Sequence, residues 1–253
     1  MQDIFPAHKP LLTPPAGNAK LRHSQTDTHA GWSLSLLPGA KDICSHATVG
    51  CLRSCVSKTG LARVFPTIDE ARQLKTEFFR KQKDRFLARL EHEIRAIVSE
   101  CSSTGITPLF RLNAFSEIRW ETIAPQLFEI ESENGPILYY DYAKNPERIG
   151  ETPRNYRLTF SRSEHNENAV LHFLRCGVNC SVVFHEEGNF AAHGAYQQGL
   201  PAQWRGFHVI DGDESDFRCL DPTAQRGYVI GLRLKGGVEQ RRHAIETGFS
   251  VSW

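Results

Sequence analysis

The chain has 253 residues, with 30 basic and 29 acidic side chains and 40% hydrophobic residues, enough apolar material for one large domain or two small ones. A formal charge of +1 gives no global field to draw it to nucleic acid or an anionic membrane, so either partner would need a local patch. With no apolar run of about 18 residues and no basic-then-apolar leader, the chain is expected in the cytoplasm and off the membrane.

Residues 1–28 hold Pro6, Pro10, Pro14 and Pro15 among polar residues without an apolar period, which predicts a flexible N-terminal tail followed by a single domain over residues 29–253. Trp32 to Leu37 alternates apolar and polar residues and stops at Pro38-Gly39, a first strand. Thr67 and Glu70 form a capping-box pattern opening a helix that runs to Gly105, with Leu74, Phe78, Leu87, Leu90, Ile94 and Ile97 at helical spacing. Pro108 to Asn113 reads as a strand and Trp120 to Glu133 as a helix closed by Asn134-Gly135. Ile137–Tyr142, Tyr156–Phe160, Val178–Phe184, Phe207–Ile210 and Tyr228–Leu234 read as strands, with a helical turn at Asn145–Ile149 and a helix centred on Ala169–Leu174.

Seven strands separated mostly by long crossovers imply parallel pairing and an α/β class. No Gly-x-Gly-x-x-Gly turn follows the first strand, which favours a full or partial β/α barrel over an open dinucleotide-binding sheet. In either architecture chemistry gathers at the carboxyl ends of the strands.

Seven cysteines, odd in number and unevenly spread, fit thiols or metal ligands better than a disulfide framework. Cys44, Cys51 and Cys55 fall within twelve residues directly after the first strand. Three thiolates on one polar loop can converge on a soft centre, with Gly50 giving the backbone freedom to bend. The expected occupant is a 4Fe-4S cluster, whose fourth iron would stay open; the alternative is zinc, with a fourth ligand from His46, Cys176, Cys180 or His185. Buried core thiols are the bland alternative.

Other positions follow from the same rule. Arg111 and Asn113 alternate with Leu112 at a strand end and Glu117 follows, a polar surface for a small-molecule substrate or cofactor. Asp211 and Asp213, with Asp216 and Asp221 nearby, could hold a hard cation or a ligand amino group, or could only cap backbone amides. Asp141 after the third strand and Ser161 and Glu164 after the fourth could join that polar surface, although Ser161-Arg-Ser-Glu164 also fits a capping box. Lys75 to Arg95 mixes bases with Phe78, Phe79 and Phe86, a weak nucleic-acid pattern diluted by interleaved acids.

A strand, a three-cysteine loop and a helix at the head of a β/α series resembles the radical S-adenosylmethionine enzymes, which implies a cluster with one open iron for that cofactor. The gaps of six and three residues, and Ser54 before Cys55, depart from that family's spacing of three and two. The chain also resembles the gene-product-eighty-eight-like proteins of phages and mobile elements. The likeness runs from Trp32 to Gly236 through the Leu37-Pro38-Gly39 turn, Arg111-Leu-Asn113, Tyr140 to Tyr142 and Val209 to Asp213 with Asp216, Arg218, Asp221 and Pro222. It implies an iron–sulfur-type barrel in the host cytoplasm and supplies no reaction.

Overall fold

The computed structural model describes residues 4–133, 137–187 and 199–253. Its strands are β1 (Leu12–Thr13), β2 (His29–Leu34), β3 (Thr107–Arg111), β4 (Leu138–Ala143), β5 (Tyr156–Ser161), β6 (Cys180–His185), β7 (Gln203–Trp204), β8 (Phe207–Asp211), β9 (Val229–Arg233) and β10 (Val251–Ser252). They form one sheet in the order β1-β2-β3-β4-β5-β6-β9-β8-β7, with β10 also on β6. The seven expected strands make the continuous parallel run from β2 to β8.

The sheet is open, so the expectation of a full barrel is corrected. Its outermost strands, β1 and β7, are two residues long and pair antiparallel to β2 and β8. They cap the parallel run at each end instead of joining its ends.

Eight helices are described: α1 (Ala19–Ser24), α2 (Val49–Arg53), α3 (Leu61–Val64), α4 (Pro66–Lys81), α5 (Lys83–Thr104), α6 (Trp120–Ile123), α7 (Glu167–Arg175) and α8 (Val238–Glu246). Alternation along the strands sorts two faces. Phe110 and Tyr139 pack with Phe78, Phe86, Leu90 and Ile94 of α4 and α5, while Phe160, Val182 and Phe184 pack with Val170 and Leu174 of α7. The opposite face carries Leu109 and Tyr140, which meet Leu21 and Phe217, and beyond them the polar Arg111, Tyr142, Ser161 and Ser181. One face is thus the main core and the other leads to a cavity.

Elements shift where the chemistry of single residues overrides the apolar period. The long helix divides at Gln82, which leaves helical geometry at φ −140° and ψ 53°; its Oε1 accepts the Ile4 N–H at 3.3 Å. The helix opens on Pro66 at its first position, without a side-chain cap from the Thr67 box. The expected Trp120–Glu133 helix shortens to α6 and a 3-10 turn over Pro125–Glu129, because Pro125 has no N–H to donate and drives Ala124 out of the helical region. Its expected Asn134-Gly135 stop lies outside the described residues. Gly105 ends α5 with φ 72°, as expected of a glycine there.

The segment expected as a flexible tail is packed from Ile4 onward. Phe5, Leu11, Leu12 and Leu21 are buried, and the Phe5 ring stacks on Phe78 at 5.4 Å. Glu93 of α5 accepts the N–H groups of Leu11 and Leu12 at 2.8 and 3.0 Å, and the Lys75 ammonium donates to the Leu11 carbonyl at 2.6 Å. Composition hid this because the anchoring groups lie some 60 to 80 residues away in sequence.

Burial of Lys75 lowers its ammonium to about 8, with Glu93 opposing the shift. Between about 8 and the ordinary lysine value the unfolded chain keeps a proton that the folded chain has lost, so stability should rise with pH across that window. The rise should approach about 3 kcal/mol and should vanish in Lys75→Met. Urea midpoints of both proteins at several pH values across the window check this; equal slopes would refute it.

Candidate metal centre

The strand that opens the parallel run delivers the chain to Pro38-Gly39 and then to the cysteine loop. Ile43 and Cys44 turn back on the Ala40 carbonyl at 3.0 and 2.8 Å. Thr48 caps α2, its Oγ1 accepting the Cys51 N–H at 3.2 Å. Cys51 rides on that short helix and Cys55 follows it. The Arg72 guanidinium of α4 holds the next turn by donating to the Ser57 carbonyl at 2.9 Å.

One contact places the loop over the sheet. Glu164, just beyond β5, accepts Thr48 Oγ1 at 2.7 Å and the Gly50 N–H at 2.8 Å. Burial works against this carboxylate, but those two bonds hold it below its ordinary value. Glu164 thus ties the cysteine loop instead of capping α7, whose preceding turn is closed by Asn166 on the Ser163 N–H at 2.7 Å. Gly50 is required for closeness rather than bending, because a Cβ there would lie 2.6 Å from Thr247 Oγ1 and 2.8 Å from Phe249 Cβ.

Cys44, Cys51 and Cys55 are free, half-buried thiols that line one cavity of about 230 Å³ at the carboxyl ends of the strands. Cys44 Sγ donates to the Phe115 carbonyl at 3.4 Å. Burial, and then the neighbouring Cys51 and Cys55, push the Cys44 thiol up. Lys144, beyond β4, has the Cys51 sulfur as a side-chain partner; burial opposes its charge, but Cys51 and Glu117 raise it above the ordinary lysine value. The three thiols therefore share one electrostatic environment with a lysine cation. Among the described residues no group of three or more His, Cys, Asp or Glu side chains is gathered so that it could hold a metal ion.

A family model described as gene product 88 matches residues 10–250. The chain belongs to that family. No curated protein matches it, and no solved structure does. In this gene product 88 protein the matched span begins within β1's approach and takes in α1, the cysteine loop and every strand of the parallel run.

The structure brings Arg111, Asn113, Glu117 and Asp213 to the same cavity as the three cysteines and places Asp211 in the neighbouring one. Most of these side chains are engaged within the protein. Asn113 Oδ1 accepts from Ser116 Oγ, the Ile118 N–H and Trp120 Nε1 at 2.8 to 3.1 Å, and its N–H donates to Asp141 at 2.7 Å. Glu117 accepts the N–H groups of Lys144 and Asn145 at 2.5 and 2.6 Å, which positions Lys144. Arg111 pairs with Asp216 at 2.8 Å. Asp211 takes Arg233 in a fork at 2.8 and 2.7 Å, and Asp213 takes Lys235 at 2.5 Å. The acidic loop is thus neutralised by two cations from the end of β9.

The remaining candidates lie elsewhere. Cys180 is buried at the amino end of β6, donating to Val170 and Val178 carbonyls; Cys176 is exposed after α7. His46 bonds Ser45 at 3.0 Å, and burial lowers His185. Phe78 and Phe86 sit in the core, so those rings present no stacking surface for a nucleic-acid base. Sequence reasoning missed Lys144, Arg162 and Lys20, and it favoured a capping-box role for Glu164 over the tie to the loop that the structure shows. Lys144 and Arg162 could have been found, since both directly follow strands.

Replacing Glu164 by Gln removes the charge from both loop contacts and should cost about 1–3 kcal/mol. Hydrogen exchange at the Gly50 amide should speed up while amides of β3 and β4 keep their protection; unchanged Gly50 exchange would show that Glu164 does not hold the loop.

Proposed function

We propose that this gene product 88 protein is an iron–sulfur protein of radical-S-adenosylmethionine-like organisation, an enzyme that holds a four-iron cluster on Cys44, Cys51 and Cys55 at the mouth of a partial barrel. The observation that carries the reading is the sharing of one cavity by these three thiols at the carboxyl ends of a parallel sheet. Apart from Lys20 on α1 and Ser181 near the start of β6, the other polar side chains of that cavity come from a strand end or the loop beyond it, which is where α/β enzymes keep their reacting groups.

The chemistry of the donors is what supports a cluster, since among the described residues the three sulfurs line one cavity but are not gathered into a metal-holding group. Three thiolates and a four-iron core carry net negative charge, and Lys144 brings a cation to Cys51 without competing as a thiol ligand. Such a cluster supplies one open iron, a Lewis acid or a source of one electron. The chain's own residues do the rest: Glu117 fixes Lys144 through two backbone bonds, Glu164 fixes the loop, and the half-buried setting limits water at the sulfurs. S-adenosylmethionine is the candidate ligand of the open iron.

Anaerobic reconstitution of the full chain with iron and sulfide should give a brown protein with about four of each per chain. Cys44→Ser, Cys51→Ser and Cys55→Ser should each lose most of the visible absorption, whereas Cys176→Ser should keep it. A colourless chain that takes up stoichiometric zinc and no iron would overturn the cluster. Incubation of the reduced, loaded protein with S-adenosylmethionine tests that ligand separately, through release of its cleavage products.

A second reading has an observation of its own. Val49, Leu52, Val56, Val64 and Phe65, all around the cysteine loop, are large apolar side chains 39–65% exposed. They support an accessory protein in which zinc or a cluster staples the loop and the patch meets a host factor or nucleic acid. In that case metal removal should lower folding stability sharply, whereas a catalytic cluster leaves the sheet standing.

A further inference from the structure

The cavity beside the cysteines has an asymmetry of charge that nothing above uses. Its lining includes six basic side chains and two acidic ones, Glu117 and Asp213, and both acids are already satisfied. Glu117 Oε1 accepts two backbone N–H groups. Asp213 takes Lys235 on one oxygen, and the Arg233 N–H and guanidinium on the other at 3.0 and 3.3 Å. Asp216 behind them has both oxygens on Arg111 Nη1, at 2.9 and 2.8 Å.

The cations divide differently. Arg111, Arg233 and Lys235 have carboxylate partners, and Arg162 donates to the Gly248 carbonyl and pairs with Glu167. Lys144 faces Cys51. The Lys20 ammonium alone among them makes no hydrogen bond or ion pair with the described residues, although Lys20 lines both this cavity and the adjoining one formed by α1 and the Asp211–Asp216 loop. Asp216 and Asp213 attract it through space, while Lys235 and Arg111 repel it. A lysine beside other cations, whose neighbouring carboxylates Asp213 and Asp216 are already bonded to Arg233, Lys235 and Arg111, has hydrogen-bond donors to offer and no protein acceptor.

A ligand that brought a cationic group here would find no free carboxylate and several cations. A ligand that brought an oxyanion would meet the three donors of Lys20, within a positive field. The apolar part of the lining, including Leu52, Phe115, Val183 and Leu232, suits the body of a small organic molecule. We propose that the cavity binds a small organic oxyanion, a carboxylate or a phosphate ester, with its charged group on Lys20 and its body extending towards the three cysteines. The proposal rests on the reading of this cavity as a substrate site, and it gives that site a substrate class.

The test is calorimetric titration of the full chain, both metal-free and after anaerobic reconstitution, with phenyl phosphate, benzoate and benzamidine as probes. Phenyl phosphate and benzoate share an apolar ring and differ in the anion, so their relative affinity separates the two sources of the charge. Benzamidine is the cationic counterpart. One or both anions should bind saturably, benzamidine should not, and Lys20→Ala should weaken the better anion by roughly tenfold or more. Lys20→Arg should retain most of the binding, and Lys9→Ala, outside this cavity, should leave it unchanged.

No saturable binding of either anion, benzamidine binding as tightly as benzoate, or an affinity unmoved by Lys20→Ala would each overturn the proposal. Lys20 is exposed on a short helix, and equal circular dichroism of variant and parent confirms that folding is intact. The metal-free arm reads the anion site even if no cluster forms, so failure of the cluster and failure of the anion site are told apart.

Discussion

The seat of the cysteine loop depends on one carboxylate. Glu164 stands at the end of a core strand and accepts a side-chain and a backbone donor from the turn that begins α2. Without it, Thr48 would still cap its helix, but the turn would lose both of its bonds to the residue beyond β5. Gly50 makes the approach sterically feasible, since any side chain there would meet Thr247 and Phe249. The C-terminal segment therefore shapes the seat of the cysteine loop as well: Arg162 donates to the Gly248 and Phe249 carbonyls at 2.8 and 3.2 Å, and β10 closes against β6.

The electrostatics of the cavity extend the same logic. Acidic and basic side chains are brought to the strand ends in pairs, Arg111 with Asp216, Arg233 with Asp211 and Lys235 with Asp213. Removing one member of such a half-buried pair leaves its partner uncompensated. What remains outside these pairs is a lysine beside the sulfurs and another at the far group of charges, with three thiols between the loop and the sheet. This division is the physical basis for reading one end as a metal seat and the other as an anion seat.

Much of this was legible in the sequence. The seven strands of the parallel run were visible as short apolar stretches, and the rule that polar residues after strands line the working end placed Arg111, Asn113, Glu117 and Asp213 in the cavity with the cysteines. Three things were hidden for distinct reasons. The N-terminal segment looked like a tail because its apolar residues are few, yet Phe5, Leu11 and Leu12 are held by α4 and α5. A full barrel was suggested by the strand–crossover rhythm, but the antiparallel end strands β1 and β7 are too short to announce themselves. Glu164 fitted a local capping pattern, and its bonds to Thr48 and Gly50 span 116 and 114 residues, beyond the reach of any local pattern.

The account turns on whether three sulfurs meet one inorganic core, and differential alkylation reads this directly on the unmodified sequence. The anaerobically loaded chain and its chelator-stripped form are treated briefly with an alkylating reagent and each cysteine is quantified by mass spectrometry. Cys176, which is exposed, serves as the internal reference and should react in both forms. The account predicts that Cys44, Cys51 and Cys55 are protected together in the loaded protein and become reactive together when the metal is removed. Equal labelling of the three in both forms, or protection of only one, would contradict it.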